Sequence, residues 1–127
     1  MGDRVGAVVY NNDEVKFFKA SSSKNNVVQI MTEIERQNHL LNANNIDNHK
    51  GNLAKSLKIL TTLAKHDDLV VHIGDGRALD EETAKHITRI NTHNDVIGVM
   101  VYDPMEEEIM KSNSLFFTDG VDTVDVD

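Results

Sequence analysis

Hydrophobic positions in the first half of the chain follow two different repeats. A valine-rich run from Arg4 to Tyr10 predicts a strand, and residues 15–19 alternate in polarity after a turn at 11–14, so these segments predict a hairpin. Lysines at 16 and 19 suit an edge strand. Two later segments repeat every three or four residues and predict helices. Their inner stripes are Val27, Ile30, Met31 and Ile34, and then Leu53, Leu57, Leu60, Leu63 and Ala64. The asparagine-rich segment between them, residues 37–52, predicts a loop.

The second half of the chain alternates between strands and helices. Apolar runs at 69–73 and 96–102 flank a helical segment that Asp80 and Thr83 can cap, with an inner stripe of Ala84, Ile87 and Ile90. Pro104 ends the second run, residues 106–111 predict a short helix, and residues 115–118 predict a last strand. Alternation of this kind predicts parallel strands with right-handed crossovers, and the unbroken second run predicts a strand covered on both faces. We therefore expect an α/β fold of three layers, with a mostly parallel sheet and one antiparallel edge strand.

Acidic residues follow both apolar runs at the points where the predicted strands end. Gly74-Asp75-Gly76 comes after the first run, and Asp103 comes after the second. Because parallel strands end at a common edge, these carboxylates are expected at the edge where open α/β sheets bind ligands. The alternative interpretation of Asp75 is a turn residue between two glycines.

Composition and charge mainly exclude certain kinds of site and partner. The chain has 127 residues and no cysteine, so one domain is expected, without disulfides or thiolate metal sites. A net charge of −8 disfavours nucleic acid as a partner. The six histidines lack zinc spacing, and His72, inside a strand, is interpreted as a core or sheet-face residue. Since the chain shows neither a membrane span nor signal-peptide features, we expect a cytoplasmic protein without membrane contact.

Four motifs resemble one family and occur in its order. Gly2-Asp3-Arg4-Val5-Gly6 resembles the segment that opens the family's second strand, and residues 69–75 resemble its Leu-Val-x-x-Ile-Ser-Asp strand, with Gly74 in place of serine. Residues 93–96 and 102–106 are similar to its His-Asp-Val and Asp-Pro-x-Glu motifs. The chain thus resembles the von Willebrand factor A-like proteins of unknown function usually encoded beside MoxR-type AAA ATPases. The resemblance implies a Rossmann-type sheet and a non-enzymatic interaction module whose partner is a MoxR-type ATPase or its client.

The same resemblance implies that residues 1–127 are a single, partial domain of this type. Members of the family carry an earlier strand that ends in Asp-x-Ser-x-Ser, the main part of a metal-ion-dependent adhesion site. The expected domain is therefore truncated at its N-terminus and lacks a central strand. Backbone groups left without that strand need other partners. Either the 5–10 strand pairs directly with the 69–73 strand, or another chain supplies an edge, for example in a homo-oligomer.

Only a degenerate metal site is implied. Asp75 is the retained ligand, and Asn52 lies near the position of the family's middle-loop threonine. One carboxylate and one amide hold magnesium poorly against water, so we expect no cofactor other than weakly bound magnesium, and no catalytic residue. The expected partner-binding residues are Asp75, Arg77 and Asp103, with Asn52 as a further candidate.

Two other functions stay open on the sequence. Residues 73–76 resemble the Gly-Asp-Gly segment of haloacid dehalogenase-like phosphatases, which are magnesium-dependent enzymes. Those enzymes also need an Asp-x-Asp nucleophile motif, and none precedes residue 75. The other function is that of a structural fragment without independent activity. The favoured hypothesis is the non-enzymatic module.

Overall fold

The computed structural model describes residues 2–41, 51–104, 115–118 and 123–126. Its elements follow the expected order closely through β4. They are β1 (Val5–Tyr10), β2 (Val15–Ser21), α1 (Lys24–His39), α2 (Asn52–Leu63), β3 (Leu69–Gly74), α3 (Glu81–Asn91), β4 (Asp95–Met100), β5 (Leu115–Thr118) and β6 (Thr123–Val126). The predicted loop at 37–52 is wrong at its ends, because residues 37–39 belong to α1 and residue 52 begins α2. Residues 42–50 of that loop, and the predicted short helix at 106–111, lie outside the described residues.

Strands of the described residues pair two by two. β1 and β2 form the predicted antiparallel hairpin, and β3 and β4 are parallel, as expected. Residues 115–118 form the predicted last strand, β5, but β5 pairs with β6 in an antiparallel hairpin rather than in the expected parallel arrangement. Direct pairing of β1 with β3 is also wrong, because the described ladders join β1 only to β2 and β3 only to β4. The described residues thus form an α/β fold of small sheets, and no ladder among them joins these sheets into one.

A small core joins the two helices α2 and α3 to the parallel strands. Its fully buried members are Leu53 and Leu57 of α2, Val70 of β3 and Ile90 of α3. Tyr10, Leu60, Ala64, Ile87 and Val96 are among the partly buried residues around them. Each large apolar side chain in such a core contributes about 1.5–3 kcal/mol by leaving water. This packing confirms Leu53, Leu57, Leu60 and Ala64 of the predicted stripe, whereas Leu63 is half-buried outside this cluster.

The first turn of α3 has the predicted cap. The Asp80 carboxylate accepts a hydrogen bond from the Thr83 backbone N–H at 2.8 Å, and the Asp80 N–H donates to the Thr83 hydroxyl at 2.7 Å. This reciprocal pair is a capping box, and the bond from Thr83 lowers the pKa of Asp80. Ile90 of the predicted stripe is buried and Ile87 is partly buried, whereas Ala84 is exposed. The cap therefore fixes where the helix starts after the carboxyl end of β3.

The buried face of α1 differs from the predicted stripe. Ile30 is buried as expected, but Met31 is 64% and Ile34 is 52% exposed, and Val27 is also exposed. Glu33 and Gln37 are buried in place of these residues. The burial of Glu33 is possible because three groups donate hydrogen bonds to its carboxylate. They are Arg36 Nε at 3.1 Å, Gln37 Nε2 at 3.0 Å and Lys16 Nζ at 3.4 Å.

This polar network has an electrostatic consequence. Hydrogen bonds from Arg36, and then from Gln37, lower the pKa of Glu33 to about 2. Arg36 also donates to Glu14 at 2.6 Å, so α1 is joined to the β1–β2 turn by charge. Since an apolar periodicity count takes no account of such partners, the sequence pattern selected the wrong face of the helix.

Candidate functional site at the carboxyl edge of β3 and β4

The two parallel strands bring their following loops to one edge. Gly74 lies opposite Met100 in the register, and the Val101 N–H donates to the Gly74 carbonyl at 2.8 Å. The loop after β3 contains Asp75 and Arg77, and the segment after β4 contains Asp103. We call residues 74–77 and 101–103 the carboxyl edge. The predicted convergence of Asp75 and Asp103 at one edge follows from this pairing.

Asp75 occupies a tight turn with an exposed carboxylate. Gly76 has a positive φ of 79°, which glycine adopts without steric cost. One Asp75 carboxylate oxygen accepts a hydrogen bond from the Arg77 N–H at 3.0 Å, and the other lies 3.6 Å from Arg77 Nε. The side chains of Asp75 and Arg77 are 58% and 53% exposed. The turn interpretation is therefore confirmed, and it presents a charged pair to solvent.

Asn52 makes hydrogen bonds that connect the start of α2 to a neighbouring turn. It is the first residue of α2, and its side-chain Nδ2 donates to the Asn11 carbonyl at 2.6 Å. Its own carbonyl accepts from the Ser56 hydroxyl at 2.6 Å. These bonds join the start of α2 to the β1–β2 turn, so Asn52 acts here as a structural residue.

The Asp75 carboxylate at the edge is already engaged by a cationic side chain. Mg²⁺ requires near-octahedral coordination by oxygen, whereas the Asp75 carboxylate already contacts the Arg77 backbone and guanidinium. A cation would have to displace that positive charge. Among the described residues, no group of three His, Cys, Asp or Glu side chains is arranged to hold a metal ion.

A tyrosine–histidine pair lies beside the edge, and sequence reasoning missed it. The Tyr10 hydroxyl is 3.0 Å from Nε2 of His72, and the two rings are nearly parallel with centroids 6.4 Å apart. Burial, and then the negative charge of Asp75, raise the pKa of Tyr10. The interpretation of His72 as a sheet-face residue is confirmed. Its partner could not be foreseen, because 62 residues separate the two positions.

One face of the parallel pair is apolar and exposed. Its side chains, with their exposed fractions, are Leu69 (63%), Val71 (49%), Ile73 (63%), Ile97 (49%) and Val99 (41%). The register places Val71 beside Ile97 and Ile73 beside Val99, so the patch is continuous. The prediction that β4 is covered on both faces is therefore wrong within the described residues. We call these five side chains the apolar strand face.

These features define a small α/β protein with a polar loop edge and an exposed apolar strand face. The family model for DUF58, described as a protein of unknown function, matches residues 1–125. The chain therefore belongs to the DUF58 family. No curated protein and no solved structure gives a significant match to it. Among the described helices, none combines the length and apolar character needed to cross a membrane.

Proposed function

We propose that this chain is a non-enzymatic protein-interaction module of the von Willebrand factor A type that works with a MoxR-type AAA ATPase. The observation that carries the proposal is the apolar strand face, which ends at the charged turn of Asp75 and Arg77. Exposed apolar patches bordered by polar residues are typical of protein-binding surfaces. The choice of an ATPase as partner comes from the sequence resemblance alone.

The size of the patch supports a protein partner. The five side chains are each about half exposed, which corresponds to roughly 500 Å² of accessible area. A patch of that size is at the upper end of what a monomer ordinarily exposes and is often functional. Burying it would contribute favourably to binding at about 25 cal/mol per Å² before the costs of association.

The carboxyl edge supplies specificity in this proposal. Asp75 and Arg77 are held by a turn whose backbone is fixed to β3, so both charges are presented in one geometry. Rim charges of this kind choose between partners and raise association rates. Two concavities of the described surface lie elsewhere, one between β2 and α1 and one at the amino ends of β3 and β4. The Asp75 and Arg77 side chains are each more than half exposed, which suits contact with a macromolecule better than with an enclosed small ligand.

A binding titration with a purified MoxR-type ATPase tests the proposal. Asp75→Ala and Arg77→Ala should each weaken binding by about tenfold, since each removes one rim charge. The matched control is Asp67→Asn, because Asp67 is exposed, lies near the amino end of β3 and has a positive φ of 59° that asparagine tolerates. Equal affinity for all three variants would show that the carboxyl edge is not part of the interface. A wild-type chain that does not bind the ATPase would refute the choice of partner.

A further inference from the structure

One flank of α1 carries apolar side chains that nothing covers within the described residues. Val27, Met31 and Ile34 are 39%, 64% and 52% exposed, although the sequence pattern assigns them to the core. The helix is held to the β1–β2 hairpin by a different set of side chains, which includes Glu33 and Gln37. Exposed apolar side chains grouped along one line of a helix form a candidate contact surface.

The spacing on this flank is that of a seam between two paired helices. Five exposed residues follow one another at steps of three, four, three and four, namely Lys24, Val27, Met31, Ile34 and Asn38. Such alternation repeats every 3.5 residues or so, which keeps the positions in line when two helices wind around each other (about 3.5 per repeat). We call these five residues the α1 seam. The spacing indicates that another helix covers it.

The α1 seam is nearly symmetric about Met31. Lys24 and Asn38 each lie seven residues from Met31, while Val27 and Ile34 lie four and three residues from it. A two-fold interface uses the same surface on both copies, so that residue i meets j and j meets i. Two antiparallel copies of α1 centred on Met31 satisfy this condition, because Val27 of each copy then lies opposite Ile34 of the other. The seam therefore fits a second copy of this chain.

Charge favours the antiparallel arrangement of the two helices. Lys24 is exposed at the amino end of α1, and Glu35, beside the seam, is exposed near its carboxyl end. Antiparallel copies bring Lys24 of each close to Glu35 and Asn38 of the other, and they oppose the two helix dipoles. Parallel copies would instead bring the two Lys24 side chains together. Since the seam contains no acidic residue, a chain of net charge −8 can associate there without placing carboxylates against each other.

The exposed area is sufficient for a weak dimer. Together with Val28 at its margin, the apolar part of the seam presents roughly 350 Å² in each copy. Two copies would bury about 700 Å² of apolar surface, and the polar ends raise the total to about 1,000 Å², the low end for a specific interface. Because Lys16 and Arg36 already hold α1 in place through Glu33, association does not have to order the helix. We expect a dissociation constant on the order of 10 μM.

We propose that the chain forms a two-fold homodimer in solution by antiparallel pairing of the α1 seam about Met31. The pairing uses neither the carboxyl edge nor the apolar strand face, so it goes beyond the proposed function. A dimer would present two copies of each of those surfaces, which raises the avidity for any oligomeric partner.

Sedimentation of the full chain over about 1–200 μM tests the association and should show monomer passing to dimer. Met31→Glu should weaken the dimer by about tenfold or more, because the two-fold axis brings the two new carboxylates together. Its circular dichroism should match that of the wild type, since Met31 is exposed and both residues favour helices. The matched control is Gln29→Glu, which adds the same charge at an exposed position of α1 outside the seam and should dimerise normally.

Disulfide trapping tests the orientation, because the chain has no cysteine. Met31→Cys should be trapped as a covalent dimer by a mild oxidant, since a residue at the two-fold axis meets its own copy. Lys24→Cys should remain largely untrapped. Antiparallel copies hold its two positions about 21 Å apart along the helix axis, whereas a disulfide requires Cα atoms within about 7 Å.

Three outcomes would overturn the proposal. One is a chain that stays monomeric throughout this concentration range. Another is trapping of Lys24→Cys in preference to Met31→Cys, which would show parallel helices. The third is a dimer that persists in Met31→Glu but is lost in Val71→Glu, which would place the interface on the apolar strand face. Asp75→Ala should dimerise like the wild type, so a failed ATPase interaction and a failed dimer remain distinguishable.

Discussion

Truncating Leu57 tests whether the core joining α2 to the parallel strands holds the fold together. Leu57 is 3% exposed and lies in the buried cluster with Leu53, Val70 and Ile90. Leu57→Ala removes three carbon atoms, which at about 0.8 kcal/mol each costs roughly 2.4 kcal/mol of transfer free energy. The cavity left behind adds to this, so we expect a loss of about 3–4 kcal/mol in the free energy of unfolding.

Urea unfolding followed by far-ultraviolet circular dichroism measures this loss. The matched control is Leu79→Ala, the same chemical change at a side chain that is 51% exposed, for which we expect less than about 1 kcal/mol. In a thermal scan Leu57→Ala should lower the Tm by roughly 10 °C or more. Similar losses for the two variants would refute the assignment of Leu57 to the core and the packing of α2 against β3.

Two further predictions concern ionisation. The pKa of Glu33 is about 2 in the folded chain against an ordinary 4.5, so its stabilising effect is complete above the ordinary value and is lost as the pH falls toward about 2. Glu33→Gln should therefore show a weaker decline of the urea midpoint over that acid range than the wild type. An equal decline would show that the hydrogen bonds to the Glu33 carboxylate do not stabilise the fold. In a Tyr102→Phe background, ultraviolet titration should give a phenol pKa above 10.0 for Tyr10. Asp75→Asn should lower that pKa by removing the nearby negative charge. An unchanged pKa would show that Asp75 has no electrostatic effect on Tyr10.

Most elements of this fold could be predicted from local patterns. β1 begins and ends within a residue of the valine-rich run, and the Asp80 and Thr83 pair marks the start of α3 because capping depends on residues three apart. The pattern failed where long-range partners decide burial. Glu33 is buried because Lys16 and Arg36 hold its charge, and one of these residues lies on a different element. β4 looked like a strand covered on both faces, but coverage depends on what packs against it.

The position of the candidate site could be predicted from the sequence, but its side-chain contacts could not. That Asp75 and Asp103 leave the sheet at one edge follows from parallel pairing of the two runs before them. The Tyr10–His72 contact depends on how two separate sheets are brought together by α2, and no local spacing encodes that distance. Likewise, the sequence offered direct pairing of β1 with β3 as one of two alternatives, and only the observed ladders excluded it.

The small core bears on the stability of the described part of the chain. In the described residues the buried apolar side chains are Ile30, Leu53, Ala54, Leu57, Val70 and Ile90. Burial on that scale offsets only part of the conformational entropy that the described residues lose on folding, so losing any one of these side chains is expected to remove a large fraction of the net stability.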